Sequence, residues 1–355
     1  MVWISLFFLS LGICAKELPK FLTKHATDTI RFITDDGRYA YIQKKPGVLG
    51  IVTSFRSVDF ISDSGRSDFT VKDSRFKRRL VVETIPDSHH DFNVIKNHKI
   101  LIIDWGKTQT FDIGFGRNAK LHLDDEWITY YDTIERLINV QNVVTQKKFQ
   151  IKLSPKVTPF YFPEVEMISS DTIVYTDINE KGYSALIQYN LITQKNNVIL
   201  KSTQNGTRLE LCQEKDYLAI GEFPYDDVAR SSRILQIKLS GTTNLSGYST
   251  IYNSSDSDLG NMVCKENSIF FIKTLTHNRQ LNYKQTEAVI LDLKNSQVKT
   301  LTELNHVSQL INMDGRILIP LRGDFYVLEG SANLTDDKLK TPGPNEAKEE
   351  LPLEL

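Results

Sequence analysis

The sequence predicts an all-β fold, a β-propeller of seven blades, with six or eight blades as the alternatives. A pattern recurs along most of the chain: a short polar turn, a β-rich run, a second run that ends in polar residues, and then the next turn. Equivalent apolar anchors in successive units are 45, 45, 51 and 48 residues apart, about the length of one four-stranded blade. The runs are also too short for helices. The anchors are Ile128, Ile173, Leu218, Ile269 and Ile317.

The first two predicted blades differ in regularity. The first spans Asp28 to Ser62, with Asp36-Gly37 and Pro46-Gly47 as turns between its strands. The second is less regular, because a long turn around Asp87–Asp91 breaks the period. The strands predicted for these two blades are Ile30–Ile33, Tyr39–Ile42, Leu49–Val52, Val58–Ile61, Phe69–Val71, Leu80–Val82, Ile100–Ile103 and Thr110–Ile113.

The remaining blades follow at similar spacing. The seventh unit, Val307 to Glu329, supplies only about three strands. We expect Phe21–Thr23, from the other end of the propeller, to complete it, because closure of this kind removes exposed sheet edges. Blades three to six are expected over residues 117–154, 163–201, 207–252 and 259–303.

The chain is expected to have three parts. Residues 1–15 are predicted to be a signal peptide, because Leu6–Ile13 is apolar and Ala15 offers a small residue at the cleavage point. The alternatives are a buried first strand, since no Lys or Arg precedes the apolar run, and lipidation of Cys14, which Ile13 disfavours. Residues 16–330 are expected to form the propeller, and residues 331–355 a disordered tail without aromatic residues. The protein is therefore expected to be exported, either to a periplasm or by secretion.

Composition disfavours several classes of function. Lys and Arg total 43 against 44 Asp and Glu, so no overall field attracts nucleic acid. No apolar run approaches the ~20 residues of a membrane-spanning helix, so no transmembrane segment is expected. No Gly-x-Ser-x-Gly, phosphate-binding glycine loop or Cys-x-x-Cys is present. We therefore predict no cofactor, assign no catalytic residue, and expect a monomer.

Cleavage after Ala15 would leave two cysteines, Cys212 and Cys264. The segments that begin at these cysteines align, which puts the two thiols at the same station in consecutive blades. Facing sheets lie ~10 Å apart, whereas a disulfide needs Cα atoms within ~7 Å. A bridge therefore fits only where the blades converge near the axis. An oxidising compartment favours the pairing, and the separation of the sheets opposes it.

Two segments resemble a known family. Phe32–Tyr41 resembles the repeat of TolB-type, WD40-like propellers, in which a Ser-Pro-Asp-Gly-Lys/Arg turn leads into an apolar strand, and Asn312–Ile317 is a fainter copy. The resemblance covers the architecture over about residues 28–330 and carries over no functional residue. It implies an envelope or secreted scaffold that docks a partner on one face of the propeller.

Two groups of residues suggest catalytic or metal chemistry, and each has a simpler interpretation. His89-His90-Asp91, with His98 nearby, could hold a metal, but adjacent side chains on an extended chain point to opposite faces, so no metal site is predicted. Asp124–Glu126, Tyr225–Asp227 and Asp256–Asp258 could supply the two carboxylates of glycoside cleavage. Asp is common in turns because it caps its own backbone, which favours a structural role.

Two further segments suggest binding or bracing. Ile61–Phe69 comes near the Asp-box of sialidase-type propellers, although an ordinary Asp-Ser-Gly turn is favoured. A basic concentration around Phe76 could hold an acidic partner or a polyanion, although solvated turn charge is favoured. Its members are Lys72, Arg75, Lys77, Arg78 and Arg79.

The sequence favours a non-enzymatic scaffold that binds a protein or glycan partner through one face or the axial opening. The alternative is a hydrolase or lyase that acts on a polysaccharide. An enzyme should bring several carboxylates, Arg or His together in one axial pocket. A binding scaffold should instead show a dispersed aromatic and polar rim.

Overall fold

The computed structural model describes residues 29–328, apart from segments 34–38, 46–47, 54–56, 62–67, 74–78, 86–97, 105–108, 124, 154–161, 204, 225–230, 240–244, 246, 256, 279–282, 306–309, 314–315 and 322–323. The predicted signal peptide, the proposed closing strand Phe21–Thr23 and the predicted tail lie outside the described residues.

The described chain is all-β and contains no helix. The strands predicted for the first two blades are all present with wider bounds, and Thr110–Ile113 belongs to a much longer strand, β8. The strands are β1 (Thr29–Ile33), β2 (Tyr39–Lys45), β3 (Val48–Thr53), β4 (Ser57–Ile61), β5 (Asp68–Asp73), β6 (Arg79–Ile85), β7 (His98–Asp104), β8 (Gln109–His122), β9 (Trp127–Asp132), β10 (Leu137–Asn142), β11 (Lys148–Lys152), β12 (Val165–Ser169), β13 (Thr172–Ile178), β14 (Ser184–Asn190), β15 (Asn196–Lys201), β16 (Thr207–Glu214), β17 (Tyr217–Pro224), β18 (Ser232–Lys238), β19 (Ser249–Ser254), β20 (Asp258–Lys265), β21 (Ser268–Asn278), β22 (Tyr283–Asp292), β23 (Gln297–Asn305), β24 (Ile311–Met313), β25 (Arg316–Leu321) and β26 (Asp324–Leu328).

Each sheet is an antiparallel meander in chain order. Four sheets have four strands each, namely β1–β4, β12–β15, β16–β19 and β20–β23. The strands β5–β11 form one seven-stranded sheet, and β24–β26 form a three-stranded one. Short polar turns join neighbouring strands, which explains the regular alternation of turns and apolar runs in the sequence.

The strand β8 belongs to two sets of four strands. Its first half pairs with β7, from Gln109 to Gly116, and its second half pairs with β9, from Arg117 to His122. The seven-stranded sheet is therefore two four-stranded units that share one long strand. The backbone at the change of partner is irregular, with Asn118 at φ 54° and a register shift between Arg117 and Lys120.

The five apolar anchors identified in the sequence occupy equivalent places. Each lies on the second strand of its unit, and all five are fully buried. Side chains from neighbouring sheets share their cores: Leu211 and Leu218 pack in one cluster with Val174 and Leu186 of the preceding sheet. Burial of such side chains stabilises the fold by roughly 1.5–3 kcal/mol each.

The first strands of the sheets lie side by side on the inside of the molecule. The strand β12 contacts β16, β16 contacts β20, and β20 contacts β24. The last strands are more exposed, as the patterns of β11 and β15 show. The strand β1 also contacts β26, so the first described sheet meets the last one.

Candidate functional site

Charged side chains lie along the first strands of three consecutive four-stranded units. Lys120 lies on the second half of β8, Glu164 and Glu166 lie just before and on β12, and Arg208 and Glu210 lie on β16. We call these five residues the axial cluster. Charged and apolar residues alternate here, so that the apolar residues enter the sheet cores while the charged ones meet across neighbouring strands.

Glu166 ties β12 to β8. The carboxyl is buried, and it accepts a hydrogen bond from Nζ of Lys120. Its Oε2 lies 3.6 Å from Nδ1 of His122, and Nε2 of His122 lies 2.8 Å from Oγ1 of Thr129. The order Thr129, His122, Glu166 follows that of a hydrolytic triad. All three residues are at most 3% exposed, so the arrangement is a buried tie between sheets.

Glu210 and Arg208 tie β16 to β20. The backbone N–H of Met262 donates to Oε2 of Glu210 over 3.0 Å, and Nη2 of Arg208 lies 3.3 Å from Oε1. Nη2 of Arg208 also donates to the carbonyl oxygen of Leu259 over 3.5 Å. Burial raises the pKa of Glu210, whereas Arg208 and the backbone hydrogen bonds lower it. A Cβ at Gly260 would lie 2.5 Å from Nη2 of Arg208, so a side chain at this position would displace the guanidinium.

Glu164 differs from the other two carboxylates of the cluster. The residue is half-buried, and none of the described groups donates a hydrogen bond to its carboxyl. Burial, together with the charges of Glu210 and Glu166, raises the pKa of Glu164 to about 7, against the opposing charges of Lys120 and Arg208. Glu164 is therefore the carboxyl of the cluster that changes charge near neutral pH.

A second charged group lies beside the axial cluster. The buried carboxyl of Glu83 accepts a hydrogen bond of 3.0 Å from the backbone N–H of Ala119. Its Oε2 lies 3.3 Å from Nδ1 of His98 and 3.8 Å from Nε of Arg117. Burial lowers the pKa of Arg117, and Glu83 raises it. The Arg117 guanidinium lies 5.0 Å from the centre of the Phe162 ring, a cation–π contact next to Glu164.

The histidine group of the sequence does not form a metal site in the described residues. His98 pairs with Glu83, while His89, His90 and Asp91 lie outside the described residues. Nowhere in the described ranges do three or more His, Cys, Asp or Glu side chains gather in a way that could hold a metal ion.

The acidic turns also do not form a carboxylate pair among the described residues. Asp125 is buried, and its Oδ2 accepts a hydrogen bond of 2.9 Å from the backbone N–H of Arg79. Glu126 is exposed, and Asp258 lies on β20 in a different sheet. Asp124, Tyr225–Asp227 and Asp256 lie outside the described residues, as do residues 62–67 of the Asp-box-like segment.

The interpretation of Arg79 as solvated turn charge is wrong. Arg79 is 4% exposed, donates from Nη1 to the carbonyl oxygen of Asp125 over 2.6 Å, and pairs with Asp104 at 3.4 Å. It begins β6 and ties that strand to the turn before β9, so it is not available to a polyanion. Lys72 lies on β5, where the structure describes the backbone only. Arg75, Lys77 and Arg78 lie outside the described residues.

Cys212 and Cys264 form a disulfide with Cα atoms 5.5 Å apart. Cys212 lies on β16 and Cys264 on β20, the first strands of neighbouring sheets. The bridge is thus found where the sequence argument allowed it, at the inner strands where sheets converge.

Sequence reasoning missed the axial cluster. A signal was present, because charged and apolar residues alternate at matching stations in Lys120–His122, Glu164–Met167 and Arg208–Leu211. These segments are about 45 residues apart, so their contact became visible only once the sheets were placed side by side.

Comparison with solved structures shows the class of fold. The chain is similar to the tricorn protease, with 13% identity over 84% of this chain and 34% of that one and a TM-score of 0.55. It is similar to a prolyl endopeptidase, with 11% identity over 85% of this chain and 49% of that one and a TM-score of 0.56. The chain thus spans about a third and about half of these two proteins.

A third similar structure is the β-propeller domain of the Trilobed protease from Pyrococcus furiosus, described as having an open velcro topology. Identity is 10% over 86% of this chain and 96% of that domain, with a TM-score of 0.54. No family model matches the chain, and no curated protein matches it in sequence. The comparisons confirm the β-propeller architecture implied by the TolB-type resemblance, and they show no family. Among the described residues, no helix is long and apolar enough to cross a membrane.

Proposed function

We propose that this protein is an exported, seven-bladed β-propeller that binds a protein or glycan partner at its axial opening, as a scaffold without catalytic activity. The observation that carries the proposal is the state of the axial cluster. Four of its five charged residues are already used to tie neighbouring sheets together. Such groups hold the opening in one shape, and they are poorly placed to exchange protons with a substrate.

The strand pairing supports seven blades. The seven-stranded sheet supplies two units through β8, and the other five sheets supply one unit each. The contact between β1 and β26 supports closure between the first and seventh units. A complete seventh blade would need one more strand than β24–β26, the place we assign to Phe21–Thr23.

Export is supported by two independent features. The apolar run Leu6–Ile13, followed by Ala15, has the character of a cleavable leader. The disulfide between Cys212 and Cys264 is the kind of bond that persists in oxidising compartments and is rare in a reducing cytosol.

One observation favours the enzymatic alternative, a polysaccharide hydrolase or lyase. Glu164 has a pKa of about 7, a value that suits a general acid or base at neutral pH, and none of the described residues donates a hydrogen bond to its carboxyl. Its neighbours Glu166 and Glu210 are engaged with Lys120, Met262 and Arg208, so neither is free to act as the second carboxylate. We therefore favour binding over catalysis.

Photo-crosslinking tests this proposal. Benzoylphenylalanine at Phe162, half-buried beside Glu164, should form one discrete adduct in the exported fraction of the source cells. The same probe at Phe115, 61% exposed and away from the cluster, should not form that adduct. If the protein instead cleaves a polysaccharide in a panel, and Glu164→Gln abolishes the cleavage, the enzymatic alternative replaces the proposal.

A further inference from the structure

We propose that Glu164 anchors a single positively charged group of the partner, a lysine ammonium or an arginine guanidinium, in the axial opening. The inference rests on the proposed function and specifies its chemistry. The partner is then a protein with a basic side chain that enters the opening, and a neutral glycan would not satisfy the site.

The charges of the axial cluster do not balance. The axial cluster contains three carboxylates, Glu164, Glu166 and Glu210, but only two permanent cations, Lys120 and Arg208. Lys120 is committed to Glu166 and Arg208 to Glu210. An ionised Glu164 therefore has no cation of its own, and one added positive charge would balance the five groups.

The hydrogen bonding of the axial cluster is incomplete among the described residues. Glu164 accepts no hydrogen bond from the described groups, although its side chain is half-buried. Nε of Arg208 is likewise buried without a hydrogen-bond partner in the described residues. A charged group or a donor that lacks a hydrogen-bond partner is less stable than one that is paired. A cationic group that donates to Glu164 would supply the hydrogen bond that this carboxyl lacks among the described residues.

The side of the axial cluster that carries Glu164 is accessible to an entering group. Glu166 is buried, whereas Glu164 is half-buried and precedes β12 at the end of the inner strand. The side chains of Lys120 and Arg208 are 23% and 36% exposed, so this side of the cluster is open to an entering group. The other charged groups beside it are His122, which pairs with Glu166, Asp258, which acts on Glu210, and Arg117, whose Nε lies 3.8 Å from Glu83.

A cation and a proton compete for the same carboxyl. Binding of the cation needs ionised Glu164, so affinity should fall as the pH drops through about 7. The ionised fraction of a group with that pKa falls about thirtyfold between pH 8 and pH 5.5. The neighbouring carboxyls do not change this direction, because protonation of Glu166 or Glu210 would also remove negative charge from the cluster.

The experiment follows the glutamate carboxyl carbons of the full chain by NMR during titration with n-butylammonium, with n-butanol and potassium at equal ionic strength as controls. We expect n-butylammonium to shift the Glu164 signal at pH 8, about thirtyfold weaker binding at pH 5.5, and at least tenfold weaker binding by Glu164→Gln. The variant Glu135→Gln, in the exposed turn after β9, should bind like the wild type. Equal effects of n-butanol or potassium, no pH dependence, or unchanged binding by Glu164→Gln would overturn the inference.

Failure of the cationic anchor can be distinguished from failure of the proposed function. If the Phe162 adduct forms equally in wild type and Glu164→Gln, the scaffold function stands and the cationic anchor is wrong. If n-butylammonium binds at Glu164 but no adduct forms at Phe162, the anchor stands and the proposed partner binding is wrong. The wild-type pH profile alone decides the matter if Glu164→Gln fails to fold.

Discussion

At the scale of single residues, the axial cluster combines rigidity with one titratable position. Glu166 and Glu210 each accept hydrogen bonds that link neighbouring first strands, and each has a cation within contact distance. Glu164 has the same charge, but no described donor. Its carboxyl is therefore the member of the cluster that changes charge near neutral pH.

Glu164 should make the free energy of unfolding depend on pH. Its pKa is about 7 in the folded protein against an ordinary value of 4.5, so between these pH values the folded state binds more protons than the unfolded state. The contribution of Glu164 to the free energy of unfolding is therefore complete below pH 4.5. This contribution, at most about 3 kcal/mol, is lost as the pH rises towards 7. Urea unfolding at pH 5 and pH 8 should show that Glu164→Gln stabilises the protein at pH 8 relative to pH 5, whereas Glu135→Gln should not. A pH-independent difference between Glu164→Gln and wild type would contradict the assignment.

The Cys212–Cys264 bridge should contribute to stability through its long loop. Its cysteines are 52 residues apart, which corresponds to about 4 kcal/mol in the chain-entropy description. Reductant should lower the melting temperature of the wild type to that of the double variant Cys212→Ala/Cys264→Ala, which should not respond to reductant. A wild-type melt that is insensitive to reductant, with both thiols shown to be reduced, would count against this contribution.

At the scale of elements, β8 holds two units together. The strand passes from one set of partners to the next at Gly116 and Asn118. A Cβ at Gly116 would lie 2.7 Å from Cδ2 of Tyr130 and 2.9 Å from the carbonyl oxygen of Tyr131. Contacts this short with a buried ring and a backbone atom leave no space for a side chain, so this position requires glycine.

Gly116→Ala should therefore destabilise the protein by about 1–3 kcal/mol, the range for overpacking a well-packed core. The sign is informative, because Gly→Ala in an unstrained strand would stabilise by roughly 0.4–1 kcal/mol through the unfolded state. Phe115→Ala, next along the strand at an exposed site, should change stability far less. Chemical denaturation of both variants gives the comparison, and a neutral or stabilising Gly116→Ala would show that β8 is not confined here.

The elements were largely predictable from the sequence, and their partners were not. Short apolar runs between polar turns placed the first and second sheets, because local alternation determines where a strand forms. No feature of the sequence indicates that Thr110–Ile113 and residue 117 belong to one continuous strand, because a change of pairing partner within a strand leaves no periodic pattern. The axial cluster was missed for a related reason. Lys120 and Glu166 meet only through the packing of successive sheets.

At the scale of the whole molecule, the axial opening requires closure of the propeller. The contact of β1 with β26 brings the first and last described sheets together, and the axial opening exists only if this junction holds. Closure also leaves fewer unpaired sheet edges, which would otherwise be open to pairing with other chains.

The two ends of the chain should contribute unequally to stability. Deleting Lys16–Lys24 should remove the strand proposed to complete the seventh blade, expose a sheet edge and lower the melting temperature markedly. Deleting Ser331–Leu355 should have little effect, because this segment has too little apolar content to offset its ordering entropy. Equal melting temperatures, or a larger loss from the second deletion, would show that another segment closes the propeller.

Small-angle X-ray scattering of residues 16–330 in solution is the most direct test of the central claim, that this chain closes into a compact propeller around an axial opening. A closed molecule of this length should have a radius of gyration of about 20 Å. An open row of seven sheets stacked ~10 Å apart, with β1 and β26 apart and no enclosed cluster, should instead be elongated, roughly 70 Å long, with a larger radius of gyration and a pair-distance distribution that has a long tail. We expect the compact value of about 20 Å. An elongated molecule would show that the propeller does not close.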